Sequence, residues 1–235
     1  MRPSGYVVSD LHLFSPWSAA PKLLESFHRA ADKANFFVLN GDIFDFRWTT
    51  LPSITDTITA AAQWLRAFAT AHPRCHVYYV MGNHDDLASF VSPLNRLAAR
   101  AENFAWDPVY VRLANTLFMH GDQFFQTNGR DPFERKLTTR VRKRAAALKR
   151  CYQLLHRMRV QRWHAPVMGK RRCSRLVLRT LDAAPDGVAD GLTDVYFGHT
   201  HASFSDFKFR GVTFHNTGSA IGGLRWRMLP VRIAS

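Results

Sequence analysis

Five short segments of the sequence carry aspartates, histidines and one asparagine in a fixed order. Carboxylate oxygens and neutral imidazole nitrogens are ligands that suit hard to borderline divalent metal ions. Together the segments supply enough ligands for two adjacent ions, and two metal ions side by side promote phosphoryl transfer. A single segment would establish little, because an isolated aspartate after a strand usually belongs to a turn or a helix cap. The segments are Asp10-Leu11-His12, Gly41-Asp42-Ile43-Phe44-Asp45, Gly82-Asn83-His84-Asp85, His120-Gly121-Asp122 and Gly198-His199-Thr200-His201.

The elements that must position these side chains are strands that end in tight turns. Apolar runs alternate with longer amphipathic runs, which predicts an α/β fold with a β-α-β-α-β order in the first half and mainly strands in the second. The first four segments follow the last apolar residue of a strand, and ligands of open α/β sheets gather at the carboxyl ends of strands. Strands are predicted at 6–8, 36–39, 77–81, 109–113, 116–119, 195–197, 204–209 and 212–215, and helices at 54–70 and 87–101.

The length and composition favour a single domain over residues 1–235. The five segments run from residue 10 to residue 201 of a 235-residue chain, so one site must gather most of the sequence. No apolar run approaches the ~18 residues typical of a membrane span, and no secretory signal precedes the first predicted strand. The cysteines are odd in number and widely spaced, which argues against a disulfide framework. These features predict a cytoplasmic protein with no transmembrane segment and with its cysteines in the core.

The net charge of +14 is concentrated in one part of the chain. Residues 130–179 contain 17 Lys/Arg and 2 Asp/Glu, whereas the remainder contains 15 Lys/Arg and 16 Asp/Glu. Such an asymmetry indicates an anionic partner at this basic segment. Within it, Asp131 followed by Pro132 predicts the start of an amphipathic helix over 131–164, and a shorter helix is predicted near 171–182. We therefore interpret 130–179 as a basic helical insert.

The order of the five segments resembles the calcineurin-like metallophosphoesterase superfamily, and the match spans nearly the whole chain. The resemblance implies a two-sheet sandwich flanked by helices, in which two metal ions hydrolyse phosphate esters or anhydrides. The ligand types admit Mn, Fe, Zn or Mg, of which we expect Mn. Matched by motif, one metal would be bound by Asp10, His12 and His201, the other by Asn83, His120 and His199, and Asp42 would bridge them.

Further polar residues beside the ligands are expected to take part in the chemistry. His84 follows a proposed ligand, and we expect it to stabilise phosphoryl oxygens or to protonate the leaving group. Asp85 is expected to orient His84 as the second catalytic residue. Asp45 and Asp122 are expected to accept hydrogen bonds from the ligands. Residues 216–219 resemble the segment that closes the site in many members of the superfamily.

The start of the sequence and the position of the insert are similar to one branch, the UDP-2,3-diacylglucosamine hydrolases of lipid A synthesis. Those enzymes cleave a pyrophosphate to give a lipid monophosphate and UMP, and a cap over the acyl chains accompanies peripheral membrane binding. The chain departs from the best-known member at His84, where that enzyme has Arg. The resemblance implies a nucleotide-linked lipid as substrate and the anionic inner face of a membrane as partner. The cations expected to contact it are Arg142, Lys143, Lys149 and Arg150.

Two other interpretations stay open. The basic segment could follow the phosphate backbone of nucleic acid, which would make the protein a nuclease or a nucleotide phosphodiesterase. For base stacking the segment offers only Phe133, Tyr152 and Trp163. Alternatively, the protein binds an anionic surface through a decayed, non-catalytic site, but the complete ligand set argues against that. The sequence does not indicate which oligomeric state the protein adopts.

Overall fold

The computed structural model describes residues 4–125, 131–140 and 169–233. Within these residues the chain forms strands that are joined in the first half by helices. The strands are β1 (Ser4–Val8), β2 (Phe36–Asn40), β3 (His76–Val80), β4 (Phe104–Asp107), β5 (Tyr110–Leu113), β6 (Thr116–Met119), β7 (Asp194–Phe197), β8 (Phe204–Phe209), β9 (Val212–Asn216) and β10 (Leu229–Arg232). The helices are α1 (Leu24–Ala31), α2 (Ile54–Ala71), α3 (Ala88–Ala98) and α4 (Lys170–Leu181), with 3-10 turns at Ala20–Lys22 and Asp122–Phe125.

The strands form two mixed sheets of five strands each. The first has the order β10-β1-β2-β3-β4, in which β1 to β4 are parallel and β10 is antiparallel to β1. The second has the order β5-β6-β7-β9-β8, with a parallel centre of β6, β7 and β9 and antiparallel edges. The predicted two-sheet sandwich with flanking helices is confirmed. Strands β4 and β10 were not predicted.

Alternate residues of each central strand enter different cores, because successive side chains point to opposite faces of a sheet. Val7 lies in the core between the two sheets, whereas Val8 packs against the helices on the outer face of the first sheet. Phe118 likewise faces the first sheet, and Met119 faces α4 on the other side. Both sheets are therefore covered on both faces, which explains why their central strands read as continuous apolar runs.

Asn40 joins the two sheets at the edge where the ligand-bearing turns begin. This fully buried side chain donates hydrogen bonds from Nδ2 to the carbonyl oxygens of Met119, at 3.1 Å, and Tyr196, at 3.2 Å. Buried amide groups are expensive to leave unpaired, so Asn40 favours one alignment of β2 against β6 and β7. That alignment brings the turn after β2 opposite the turn after β6.

Residues 131–140 correct one prediction, because no helix begins at Asp131. The Asp131 carboxylate accepts a hydrogen bond from the amide of Phe133 at 2.8 Å, which makes a local turn. Further along, Thr138 pairs with Leu87 in an isolated parallel bridge. A cap signal can be satisfied by such a turn as well as by a helix. The rest of the predicted helix, 141–164, lies outside the described residues.

The shorter helix predicted near 171–182 is confirmed as α4. It packs Cys173, Val177 and Leu181 against the second sheet and exposes its cations on the other side. In the described part of the chain, no helix combines the length and apolar character needed to cross a membrane.

Candidate metal centre

The expected ligands gather where strands from both sheets end. Asp10 and His12 follow β1, Asp42 follows β2, Asn83 follows β3, His120 follows β6, and His199 and His201 follow β7. Their donor atoms cluster in groups whose members lie within 4.8 Å of one another. One group contains Asp10, His12 and His201, and another contains Asp42, His120 and His199. Asn83 joins the second group, because its Oδ1 lies 2.9 Å from Nδ1 of His199.

Asp42 lies between the two groups. Its Oδ2 is 3.7 Å from Nε2 of His12 and 3.3 Å from Nε2 of His120. Its other oxygen, Oδ1, accepts a hydrogen bond of 2.8 Å from the amide of His84, which fixes the rotation of the carboxylate. One carboxylate oxygen therefore faces an imidazole from each group, as a bridging ligand must.

Two of the expected histidine ligands have buried ring nitrogens that lack a hydrogen-bond partner among the described residues and that a metal ion could bind. In the described part of the chain, both ring nitrogens of His12 and Nε2 of His120 are buried without a hydrogen-bond partner. Leaving such an atom unpaired costs about 1–3 kcal/mol. Nδ1 of His120 lies 3.3 Å from the carbonyl oxygen of Asn40, which favours the tautomer whose Nε2 lone pair faces Asp42. Two divalent ions held here would supply charge that neutralises a phosphate and lowers the pKa of water.

The backbone at the ligands is strained. Left-handed φ angles occur at Asp10 (52°), His12 (48°), Asp42 (51°), His199 (61°) and His201 (56°). For residues other than glycine this conformation costs about 1–2 kcal/mol each. Hydrogen bonds between neighbouring turns help to hold it, such as the 2.9 Å bond from the His12 amide to the Asp42 carbonyl. Five of the nine non-glycine residues with this conformation in the described part of the chain are expected ligands, and such a concentration is typical of functional sites.

Two glycines in the motifs are required because their backbone lies in direct contact with ligand carboxylates. A Cβ atom at Gly82 would overlap the carboxylate and amide of Asp42, and one at Gly198 would overlap the Asp10 carboxylate. The turns after β3 and β7 can therefore contact the ligands of β1 and β2 only without a side chain there.

Burial and neighbouring charges set the protonation of the ligands. Burial raises the pKa of Asp42, but the imidazoles of His120 and His84 outweigh it and hold that pKa well below its usual value. Burial lowers the pKa of His120, yet Asp42 and Asp10 raise it to about 10. Burial, followed by the charge of His120, lowers the pKa of His199 to about 4, so His199 offers a neutral ring near neutral pH.

His84 stands on the open side of the centre, next to Asp45. Its side chain is 23% exposed, and its ring meets that of His12 edge-on with 4.7 Å between centroids. Nδ1 of His84 lies 3.2 Å from Oδ1 of Asp45, and Nδ1 of His12 lies 3.5 Å from Oδ2. Asp45 thus contacts both imidazoles, as an acceptor behind the ligands would.

Asp85 does not take the expected place beside the His84 ring. Its carboxylate is fully buried and accepts hydrogen bonds from the amides of Gly82 at 2.6 Å, Ile43 at 2.9 Å and Phe44 at 3.2 Å. Burial, together with the charge of Asp42, raises the pKa of Asp85 to about 7. The geometry therefore corrects the predicted role, because Asp45 contacts His84 and Asp85 joins the turns after β2 and β3.

Asp122 also has an unexpected partner. Its Oδ1 lies 2.7 Å from Nη2 of Arg135, in an ion pair that is almost completely buried. The basic residues proposed to contact a membrane, Arg142, Lys143, Lys149 and Arg150, lie outside the described residues.

Several supporting residues were not identified from the sequence. The Ser9 hydroxyl donates a 2.6 Å hydrogen bond to Oδ2 of Asp10, and Nδ2 of Asn216 donates to the carbonyl oxygen of Gly198 at 3.0 Å. Arg47 lies near His84, where its charge opposes the rise in the His84 pKa. The sequence marks only Asn216 among them, because residues 216–219 resemble the segment that closes the site in the superfamily. The others have no motif of their own.

Comparisons with known proteins agree with this geometry. The family model described as Calcineurin-like phosphoesterase matches residues 6–203, which include all five segments. A dimetal phosphatase from Danio rerio has a similar structure, with a TM-score of 0.50, 12% identity, and coverage of 98% of this chain and 96% of that chain. At that identity the likeness shows the fold alone. No curated protein matches the chain in sequence.

Two further solved structures are similar at lower TM-scores. YfcE, a phosphoesterase from E. coli, has a TM-score of 0.45 and 16% identity, and covers 97% of this chain and 87% of its own. Vps29 from Chaetomium thermophilum has a TM-score of 0.43 and 13% identity, and covers 100% and 83%. The family match extends over most of the sequence and over every ligand-bearing turn. The chain therefore belongs to the calcineurin-like phosphoesterase family and is a metal-dependent phosphoester hydrolase.

Proposed function

We propose that the protein hydrolyses a phosphodiester or pyrophosphate bond at two divalent metal ions, with Mn as the working ion. Asp42 bridges the ions. The observation that carries this proposal is the position of Oδ2 of Asp42, 3.7 Å from Nε2 of His12 and 3.3 Å from Nε2 of His120, both of them nitrogens without a hydrogen bond among the described residues. One ion is held by Asp10, His12 and His201, and the other by Asn83, His120 and His199.

His84 is the proposed proton donor to the leaving group. Burial lowers the pKa of His84, but Asp42 and Asp45 outweigh that effect and raise it to about 9. The imidazole is then protonated near neutral pH, and its partly exposed position lets it reach a substrate. Oδ1 of Asp45 lies 3.2 Å from Nδ1 of the ring, where its negative charge stabilises the imidazolium. A general acid needs both this access and this protonation state.

For the substrate we propose a lipid-linked nucleoside diphosphate, bound at the anionic inner face of a membrane. Support comes from the sequence resemblance and from the charge of the basic segment. In its described part, α4 carries five exposed cations and no acidic residue. Cations near an anionic surface contribute about 1 kcal/mol each. The exposed cations are Lys170, Arg171, Arg172, Arg175 and Arg179.

The alternative substrate is nucleic acid, since the same cations suit a phosphate backbone. A hydrolysis screen with added Mn²⁺ separates the two. It compares a lipid-linked nucleoside diphosphate, single-stranded nucleic acid and a small aryl phosphodiester. We expect turnover of the first with release of a nucleoside monophosphate, and loss of that turnover in chelator. Cleavage of nucleic acid alone would favour the nuclease, and no hydrolysis by protein with two bound ions would contradict the catalytic proposal.

Charge reversal tests the membrane partner. Replacing Arg142, Lys143, Lys149 and Arg150 by Glu should release the protein from anionic vesicles and slow turnover of the lipid substrate. Hydrolysis of the small diester should stay nearly unchanged. A matched control reverses four exposed arginines elsewhere, namely Arg66, Arg74, Arg96 and Arg100. Vesicle binding that persists in the first variant, or that is lost equally in the control, would contradict a specific role for the basic segment.

A further inference from the structure

Residues 131–140, which we call the strap, lie against the turn that carries His84. The amide of Thr138 donates to the carbonyl oxygen of Asp86 at 2.9 Å, and the amide of Ala88 donates to the carbonyl oxygen of Thr138 at 2.9 Å. Leu137 packs on the core of the first sheet. These contacts fasten the strap immediately after the Asn83-His84-Asp85 turn.

The strap is also fastened to a second turn, through Arg135. Its side chain is only 4% exposed, and Nη2 lies 2.7 Å from Oδ1 of Asp122, whose side chain is 9% exposed. Asp122 lies two residues after His120. A buried ion pair adds little over an apolar pair of the same size, but removing one partner leaves a buried charge that costs several kcal/mol. The pair therefore holds the strap and the turn after β6 in one arrangement.

The charge of Arg135 acts on the first turn as well. Burial raises the pKa of Asp86, and Arg135 is among the groups that oppose this rise. Arg135 itself pairs with the turn after β6, and Thr138, three residues further along the strap, is hydrogen-bonded to Asp86 after β3. A simple structural ion pair could occur anywhere, but this pair fastens the turn that supplies His120 to the strap, and the strap is hydrogen-bonded next to the turn that supplies Asn83. Both residues are proposed ligands of the same metal ion.

The ligands of the other metal ion are held by groups outside the strap. Asp10 accepts hydrogen bonds from the Ser9 hydroxyl at 2.6 Å and from the His199 amide at 3.1 Å. His12 contacts Asp45. None of these supporting groups belongs to the strap.

We infer that Arg135 is a positioning residue, which sets the separation of Asn83 from His120 and so controls the affinity of one of the two metal ions. The inference rests on the proposed ligand assignment. Residues that orient metal ligands typically change metal affinity by about 10–100-fold when they are replaced. Loss of Arg135 should therefore weaken the binding of one metal ion selectively, whereas damage to the fold would weaken the binding of both.

The test is a calorimetric titration of Mn²⁺ into the full chain after removal of metals by chelator. We expect two binding events in the wild type, and in Arg135→Met a loss of about 10–100-fold in the affinity of one event only. Lys136→Met is the matched control, since it removes an exposed cation from the adjacent position. It should leave both events unchanged. Arg135→Lys, which keeps the charge but replaces the planar guanidinium by a shorter, more compact head group, should fall between wild type and Arg135→Met.

If Arg135→Met does not fold, Asp122→Asn removes the same ion pair with little change of shape, and the same selective loss is expected. Equal weakening of both events, or wild-type affinity for both, would overturn the inference. A wild type that binds fewer than two ions would overturn the proposed ligand assignment, and the inference with it. Comparison with the wild-type titration therefore separates the two failures.

Discussion

Two clusters of histidine and carboxylate in this protein have similar composition and opposite character. The first is the metal centre. The second, which we call the helix-end cluster, consists of His28, Asp32 and His72, where α1 and α2 end. In the helix-end cluster both nitrogens of His72 are hydrogen-bonded, Nε2 to Nδ1 of His28 at 2.7 Å and Nδ1 to Oδ1 of Asp32 at 2.9 Å. In the metal centre, His12 and His120 keep buried nitrogens that face a carboxylate without such a bond.

The backbone conformation also differs between the helix-end cluster and the metal centre. The helix-end residues lie in or directly after helices, with φ of −58° at Asp32 and −126° at His72. Five proposed metal ligands instead have left-handed φ angles. Residue types alone therefore do not separate a structural cluster from a metal site. Hydrogen-bonded nitrogens on backbone with negative φ indicate a structural cluster, and buried nitrogens without a hydrogen bond on backbone with left-handed φ indicate a metal site.

The largest effect that this comparison predicts is at Asp42. Asp42→Asn keeps the shape of the side chain but removes the charge shared by both metal sites. Because paired metals contribute several kcal/mol to stabilising the transition state, hydrolysis should fall by roughly 10³-fold or more. Metal content, measured by plasma mass spectrometry, should drop below two ions per chain. Full activity with two ions still bound would show that Asp42 is not the bridge.

His84 should show the next largest effect. His84→Ala is expected to lower kcat by roughly 10²–10⁴-fold, the range for a positioned acid or base, while metal content stays at the wild-type value. The donor atoms of His84 also lie within 4.8 Å of those of His12 and Asp42, so a role as ligand is geometrically open. Loss of a metal ion from His84→Ala would favour that role over proton transfer.

The pH dependence of metal binding tests the histidines directly. The pKa of His120 is raised to about 10, so a metal ion that binds its Nε2 must displace a proton below that pH. Affinity for Mn²⁺ should therefore rise between pH 6 and 8, by about tenfold per pH unit for each proton displaced. His199, with its pKa lowered to about 4, contributes no such proton. Calorimetry in buffers of different ionisation enthalpy counts the protons released, and an affinity independent of pH would contradict this account.

The parts that could be predicted from the sequence are those that local pattern determines. Phe36–Asn40 is an apolar run because the strand is buried on both faces, and the ligand motifs follow such runs directly. Strand β10 escaped prediction because it is only four residues long and contains Pro230, which a strand tolerates chiefly at the edge of a sheet. The helix start at Asp131 was wrong because the aspartate makes a local turn instead.

The remaining parts depend on contacts between distant residues. His84 and Asp85 are neighbours in sequence, but Asp85 turns toward backbone amides and Asp45 reaches the His84 ring. Asn40 and Arg135 have partners 79 and 13 residues away. The motifs contain Asp45 and Asp122, but they do not give the partners of Asn40 and Arg135 or the direction in which Asp85 turns. By contrast, the prediction that Cys75 and Cys173 lie in the core is confirmed, and a free cysteine is by type among the most often buried residues.

The smallest predicted effect is at Asp32, in the helix-end cluster. Asp32→Asn matches the Asp42→Asn substitution in chemistry and differs in surroundings. The Asp32 side chain is 64% exposed, so solvent can replace its contact with His72, and the pair should contribute only about 0–1 kcal/mol to the free energy of unfolding. We therefore expect unchanged kcat and metal content, and a melting temperature lowered by at most about 2–4 °C. Thermal unfolding by circular dichroism and metal analysis of the same samples provide the measurement. A third metal ion that is present in the wild type and missing from Asp32→Asn would mean that the helix-end cluster also binds metal. In that case, hydrogen-bonded nitrogens on backbone with negative φ would no longer distinguish a structural cluster from a metal site.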